Sequence, residues 1–237
     1  MKFKITITLC ALVLGLVVFL LSPYFSVQAI IVSGQNAVDR TDIIKQAEIN
    51  YGSNIFLFNT NAARRRIMEN PYIDSVSFVR ELPGRLYISV RERRLIAYVE
   101  HMPGSFLFID ETGRVLEVRS FFTEPLPVVI GLDIHSFQLG ERLDVPNRSV
   151  FMIVTQYAQA LQRHGIASLV THIDVTDTFN TRIRFPNFEF NVGDARDADE
   201  KVRTIAAVLQ SLPEVATYRG FMDLREIASQ YFMTIIM

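Results

Sequence analysis

The sequence has one cysteine, no tryptophan and no excess of either charge. Its single cysteine, Cys10, excludes an internal disulfide framework and a cysteine-rich zinc module. Lys and Arg total 24 and Asp and Glu total 25, so the formal net charge is −1. A chain so close to neutral has no overall attraction to nucleic acid. With 49% hydrophobic and 21% charged residues, the composition indicates a folded protein rather than a disordered one.

The usual signatures of catalysis and cofactor binding are also missing. There is no G-x-S-x-G motif, no P-loop and no G-x-G-x-x-G motif. The four histidines stand singly, without the spacing of a metal site. An acidic cluster precedes the last predicted helix, and helix capping explains it better than a calcium site: Asp194, Asp197, Asp199 and Glu200. We therefore expect no catalytic residue, no metal and no cofactor.

A long charge-free stretch at the N-terminus predicts a membrane anchor. Residues 5–38 contain no charged side chain, and a helix over residues 5–25 would span about 30 Å, one hydrocarbon core. Lys2 and Lys4 precede it, which predicts a cytoplasmic tail of residues 1–4 and a type II orientation. The alternative is a signal peptide cleaved after Ala29. Against that alternative, the apolar run is longer than usual and the cut would enter a predicted strand.

The rest of the chain divides into two parts with different predicted secondary structure. Over residues 26–93 the pattern predicts strand, helix, helix, strand and strand, a small α+β module. We expect its second helix to bury Ile67 and Met68. Residues 94–237 show mostly short strands between turn signals, with two amphipathic helices. The predicted fold is therefore α+β: a single transmembrane helix, a β-α-α-β-β module, and a β-rich domain with two flanking helices.

Short motifs run through the chain in a fixed order, densest at residues 70–93. The others are Val32-x-Gly34, Asn54-Ile55-Phe56, Asp110-x-x-Gly113, Leu126-Pro127 with Gly131, and Asp223-Leu224-Arg225. In this order, and over nearly the whole chain, they resemble the bacterial cell division family FtsQ/DivIB.

This resemblance implies a fold, a location, a function and partners. It implies a POTRA (polypeptide-transport-associated) domain at residues 26–93, a β-domain at residues 94–237, and an inner-membrane protein at the division septum with an extracytoplasmic C-terminal part. It implies a non-enzymatic divisome scaffold that binds FtsB and FtsL, small coiled-coil proteins, and helps control septal peptidoglycan synthesis. FtsK-, FtsW- or FtsI-type proteins would bind through the POTRA domain. The alternative is a POTRA-type chaperone or translocation component of the cell envelope.

The sequence itself predicts one partner-binding element, an edge strand. The last predicted strand is apolar and no later strand follows it, so its N–H and C=O groups could accept a strand from a partner. The competing interpretation is a strand buried inside the sheet. The predicted partner-binding residues are Tyr231, Phe232, Met233, Thr234 and Ile235; the predicted structural pair is Asp223 and Arg225; a second candidate docking patch is Arg64, Arg65 and Arg66.

Overall fold

The computed structural model describes residues 2–122, 124–211, 219–226 and 233–236. The chain divides into two units, Met1–Arg93 and Arg94–Met237, and each has its own hydrophobic core. The elements confirm the predicted fold class, because an N-terminal apolar helix and a small α/β module precede a β-rich region with flanking helices.

A long apolar helix opens the first unit. Helix α1 (Lys2–Leu20) is the one helix in the described ranges that is long and apolar enough to cross a membrane. We expected the helix to continue to Phe25, and it does not. Ser22 has an extended backbone and Pro23–Phe25 forms a short 3-10 helix, because a residue before proline is disfavoured in the α conformation. Phe25 instead joins the core of the unit.

Three strands and two helices follow α1. They are β1 (Ala29–Ser33), α2 (Arg40–Ala47), α3 (Thr60–Ile67), β2 (Ile73–Glu81) and β3 (Arg85–Glu92). The central strand β3 pairs in parallel with β1 and antiparallel with β2. Leu86, Ile88 and Val90 on β3 are buried, as expected for a strand with one face on the core.

The turn after β1 requires glycine. Gly34 has φ +86°, and a Cβ built on it would lie 2.0 Å from the carbonyl oxygen of Val90 on β3. Only a residue without a side chain allows the two backbones to approach so closely at this φ. The Val32-x-Gly34 motif therefore has a structural reason.

Helix α3 buries a narrower face than we predicted. Ala63 and Ile67 are fully buried, but Met68 is 43% exposed. Met68 is the C-cap residue, one position after the last helical residue, and so the helical period no longer directs its side chain to the core. The inward placement of Met68 is therefore wrong.

The second unit is built on one nine-stranded sheet. Its elements are β4 (Leu95–Met102), β5 (Ser105–Asp110), β6 (Val115–Arg119), β7 (Val128–Ile130), α4 (Arg148–Arg163), β8 (His172–Asp174), β9 (Arg182–Arg184), β10 (Phe188–Asn191), α5 (Ala198–Ser211), β11 (Arg219–Asp223) and β12 (Met233–Ile236). The strand order is β12-β11-β10-β9-β8-β7-β4-β5-β6. Three neighbouring pairs are parallel, β4 with β7, β7 with β8, and β10 with β11.

A buried polar pair lies under the two long helices of this unit. Lys201 on α5 is only 2% exposed, and its Nζ donates to the carbonyl oxygens of Val192 (2.8 Å) and Asp194 (3.3 Å). The Tyr157 hydroxyl on α4 contacts the same two oxygens at 3.0 and 2.6 Å. Burial lowers the pKa of Lys201 and raises that of Tyr157. The pair thus binds the segment after β10 to both helices.

Three of the four acidic residues that we assigned to helix capping make ion pairs, and one of these is Glu200, which pairs with Arg203 within α5 at 3.1 Å. Asp199 accepts from Arg163 at the end of α4, at 3.0 and 2.8 Å, and Asp194 accepts from the Arg196 guanidinium at 2.7 Å. Hydrogen bonds from Arg163 hold the pKa of the Asp199 carboxyl below its usual range. Asp199 therefore links α5 to α4.

Candidate functional site

Strand β12 stands at one end of the nine-stranded sheet. It pairs antiparallel with β11, with Met233 opposite Met222 and Ile236 opposite Arg219, and the strand order places no described strand on its other side. Alternate residues of such a strand direct their N–H and C=O groups away from the sheet. The described residues 233–236 therefore form the end strand among the described strands, while Tyr231 and Phe232 lie outside the described residues. Partner binding at this strand stays a prediction.

The opposite end of the sheet is covered where its last strand begins. In β6, the N–H and C=O of Val115 are bonded to Glu141 and Gly140, at 2.9 and 2.7 Å. Leu139 also forms a parallel bridge to Val115. A loop thus occupies hydrogen-bonding positions that an added strand would need at this end. Of the two ends, β12 is the better placed for strand addition within the described part of the chain.

Strand β11 brings an apolar surface next to β12. Phe221, which pairs with Thr234, is 38% exposed, whereas Met222 is 5% exposed and belongs to the core. A surface groove runs from the β9–β10 turn across β11. Its lining includes Arg184, Pro186, Phe188, Arg219 and Phe221. An apolar side chain beside an open edge can contribute selectivity in strand addition.

Asp223 and Arg225 hold the end of β11 to a loop. The Arg225 Nε lies 3.0 and 2.9 Å from the two Asp223 carboxylate oxygens, and Nη2 donates to the second at 2.6 Å. Nη1 donates to the side-chain oxygen of Asn180 at 3.0 Å, and Asn191 on β10 donates to that same oxygen at 3.2 Å. The guanidinium therefore joins the end of β11 to the loop that contains Asn180.

Arg225 affects the pKa of the Asp223 carboxyl. Burial by itself would raise the pKa of Asp223, but hydrogen bonds and the positive charge of Arg225 outweigh it, so the pKa is lowered. Sequence reasoning selected Asp223 and Arg225 and missed Asn180, which lies 45 residues before Arg225. The available signal was the Asp177-x-x-Asn180 turn, in which the Asp177 carboxylate accepts from Asn180 at 2.7 Å.

The three consecutive arginines of α3 have different environments. Arg64 donates to the carbonyl oxygen of Val76 at 3.1 Å. Arg66 donates to the carbonyl oxygens of Gln46 and Ala47, at 3.0 and 2.7 Å, at the end of α2. Arg65 is exposed. Two of the three guanidinium groups thus serve the internal structure, which leaves Arg65 as the accessible member of the predicted patch.

A carboxylate that sequence reasoning did not select organises the loop after β1. The two oxygens of Glu92, the last residue of β3, accept hydrogen bonds from three consecutive backbone N–H groups: Asn36 (2.9 Å), Ala37 (2.8 Å) and Val38 (2.9 Å). The signal was its place in the densest motif, residues 70–93. The structure gives this motif a role in closing the first unit.

Comparison with known proteins finds a family match for the part of the first unit that follows α1. A sequence model described as the FtsQ-type POTRA domain matches residues 25–93.

Comparison of the whole chain finds relatives that are described as cell division proteins. The "Cell division protein DivIB" of Clostridium tetani is 25% identical over 194 residues, covering 81% of this chain and 73% of the relative. The protein of the same description from Clostridium acetobutylicum is 26% identical over 202 residues, covering 85% and 80%. The "Cell division protein FtsQ" of Rickettsia conorii is 33% identical over 168 residues, covering 70% and 59%.

Proposed function

We propose that this chain is a cell division protein of the FtsQ/DivIB family, which its POTRA domain and its relatives support, and that it is a non-enzymatic scaffold of the divisome. It binds FtsB- and FtsL-type proteins and helps control septal peptidoglycan synthesis. It lies in the inner membrane at the septum in type II orientation. Its proposed organisation is a tail of residues 1–4, a membrane segment within residues 5–25, a POTRA domain at 26–93 and a β-domain at 94–237.

The edge position of β12 supports this proposal most directly. A scaffold without a reaction centre needs a surface that selects a partner, and an open strand offers a row of backbone donors and acceptors. At the other end of the sheet, the first residue of β6, Val115, already forms a β-bridge with Leu139. We propose that an FtsB-type partner adds a strand to β12, with main-chain bonds setting the register.

The side chains around this strand would provide selectivity. Tyr231 is the proposed anchor, because tyrosine combines a large contact area with a polar tip and is frequent among interface hot spots. Phe232, Met233, Thr234 and Ile235 complete the proposed partner-binding segment.

Two proline variants test the strand. Neighbouring residues of a strand direct their N–H groups to opposite sides, so one of Met233→Pro and Thr234→Pro removes a donor to β11 and the other removes a donor to the partner. We expect one variant to lose stability by circular dichroism, and the other to stay folded and lose FtsB binding. Tyr231→Ala should also weaken binding while the domain stays folded. If both proline variants fold and bind as well as the unaltered chain, strand addition at β12 is refuted.

Partner binding through the POTRA domain is a separate proposal. Since Arg64 and Arg66 are engaged with backbone carbonyls, Arg65→Glu should weaken recruitment of an FtsK-, FtsW- or FtsI-type protein with little change in stability. Arg66→Ala should instead lower stability. A normal interaction in the Arg65→Glu variant would remove this patch from the proposal.

Depletion in the host distinguishes division from the chaperone alternative. Loss of a divisome scaffold should give filaments without septa. Normal septation with defective assembly of envelope proteins would instead support a POTRA-type chaperone and contradict the proposal.

A further inference from the structure

The first unit places an uncharged loop against the end of its apolar helix. The Asn54 side-chain amide donates to the carbonyl oxygen of Leu20, the last residue of α1, at 2.8 Å. The backbone N–H of Ile55 donates to the carbonyl oxygen of Phe25 at 2.8 Å, and that of Val27 to Ser53 at 2.8 Å. The loop of residues 51–57 is therefore bonded directly to the end of α1 and to the segment that follows it.

Aromatic contacts continue this junction. The Phe25 ring lies 5.2 Å from that of Phe19 on α1 and 5.2 Å from that of Phe56 in the loop, measured between centroids. Leu20 packs against the core of the unit. Arg80 supports the loop from β2, because its guanidinium donates to the carbonyl oxygens of Ile55 and Phe58 at 2.9 Å each. The position of the loop relative to the end of α1 is thus fixed by several contacts.

The loop exposes side chains suited to a membrane interface. Leu57 is 71% exposed, Tyr51 61% and Phe56 40%, and Tyr24 beside them is 60% exposed. No charged residue occurs at positions 49–63 or at positions 5–38. A loop with this composition on an ordinary solvent-facing surface would leave an unusual apolar area in water, whereas tyrosine and phenylalanine are favoured at the level of lipid headgroups.

The length of α1 determines where this loop lies. Nineteen helical residues extend for about 28 Å, close to the thickness of one hydrocarbon core. When α1 spans a bilayer, Leu20 therefore lies near the boundary between hydrocarbon and headgroups. Asn54 is within hydrogen-bonding distance of Leu20, and Leu57 is three residues further along the chain, in a turn closed by a bond from its N–H to the Asn54 carbonyl oxygen at 3.2 Å.

We propose that the loop of residues 51–57 is a second membrane contact, which inserts Tyr51, Phe56 and Leu57 into the interface of the lipid leaflet that α1 leaves. Its ligand is the lipid surface itself. Two attachments, one helix and one loop, would restrict how far the first unit can tilt on its anchor. The inference requires α1 to lie in a membrane and does not depend on the direction in which α1 crosses it.

The absence of tryptophan from the chain gives a direct test. Leu57→Trp, prepared in the full chain in phosphatidylcholine vesicles, introduces a single tryptophan, which can be excited selectively at wavelengths where the eight tyrosines do not absorb. We expect emission at shorter wavelength than in water, and strong quenching by lipids brominated near the headgroup. Tyr51→Trp, an exchange of one exposed aromatic residue for another, repeats the measurement should Leu57→Trp disturb the fold. Circular dichroism checks folding in each case.

Met68→Trp is the matched control. Met68 is also exposed, at 43%, but it lies close to Asn70, whose carbonyl oxygen accepts from Ile73 at the start of β2. Ile73 pairs with Glu92, at the end of the sheet opposite the β2–β3 turn. That turn lies beside the segment that follows α1, because the Gly84 carbonyl oxygen accepts from the N–H of Gln28 at 2.8 Å. Met68 is therefore on the side of the unit away from the end of α1. We expect quenching of Leu57→Trp to exceed that of Met68→Trp several-fold.

Vesicle flotation separates the two ways in which the test can fail. If the chain does not float with vesicles, the membrane anchor itself is wrong. If it floats and the variants at positions 57 and 51 are no more quenched than Met68→Trp, the anchor stands and the loop contact is refuted.

Discussion

Glu92 provides a stability prediction that the structure makes quantitative. Its carboxylate accepts from the backbone N–H groups of Asn36, Ala37 and Val38. Three bonds to a charged acceptor could contribute roughly 5–9 kcal/mol at 1.5–3 kcal/mol each. The bonds from Asn36 and Ala37 are exposed and the one from Val38 is partly buried. When Glu92 is removed, water can hydrogen-bond to the exposed N–H groups, and so the net loss of free energy is smaller than this sum. We expect Glu92→Ala to lower the free energy of unfolding of the first unit by about 2–3 kcal/mol.

A graded series makes the prediction specific. Glu92→Gln keeps one acceptor oxygen, enough for the Asn36 and Val38 bonds, and should cost about 1 kcal/mol. Glu69→Ala removes an exposed glutamate after α3 and should change stability by less than about 0.5 kcal/mol. For a domain of this size, the alanine variant corresponds to a decrease in Tm of about 10 °C or more.

The measurement is urea unfolding of the full chain in detergent micelles, followed by hydrogen exchange of the β3 amides. Exchange of these amides reports on the first unit separately from the nine-stranded sheet. Should Glu92→Ala unfold at the same urea concentration as Glu69→Ala, the three hydrogen bonds do not hold the unit closed and the reasoning is refuted.

Three further predictions concern backbone fit and charge. Gly34→Ala should lower the free energy of unfolding of the first unit by about 3 kcal/mol or more. Gly52→Ala is the control and should cost about 1 kcal/mol, because Gly52 has a similar φ but open space around its Cβ position. Equal losses in urea unfolding would contradict this prediction. Arg225→Ala should lower the stability of the second unit by about 1–2 kcal/mol, whereas an unchanged Tm with lost FtsB binding would assign Arg225 to the interface. Because the pKa of Asp223 is lowered in the folded state, its stabilising contribution is present above the unfolded pKa of about 3.9 and is lost as the pH falls through the folded value; acid unfolding should therefore be less steep in Arg225→Ala.

Much of the local structure could be read from the residues in order. The period-two pattern of β3 placed Leu86, Ile88 and Val90 on the core, and all three are buried. The stripe of α4 is equally clear, with Asn147 as N-cap accepting from Ser149. Such signals are local, because they depend on neighbours one to four positions away.

Burial that departs from these periodic patterns could be seen only in the structure. The register of β2 shifts between Ile73 and Ser75, so Ile73 and Val76, three positions apart, are both buried. An irregularity of this kind depends on how the partner strand is aligned, which no pattern within β2 reveals. The burial of Lys201 is similar, since its partners are the carbonyl oxygens of Val192 and Asp194.

The candidate site shows the same division. The sequence alone predicted a membrane-length apolar helix before the first module, an apolar strand at residues 231–236, and a motif that contains Asp223 and Arg225. Only the tertiary structure decided that β12 is the end strand among the described strands, that a loop covers the start of β6 at the other end, and that Asn180 completes the Arg225 network. These facts depend on pairing between segments tens of residues apart, and such pairing is selected by the packing of the whole sheet rather than by any local preference.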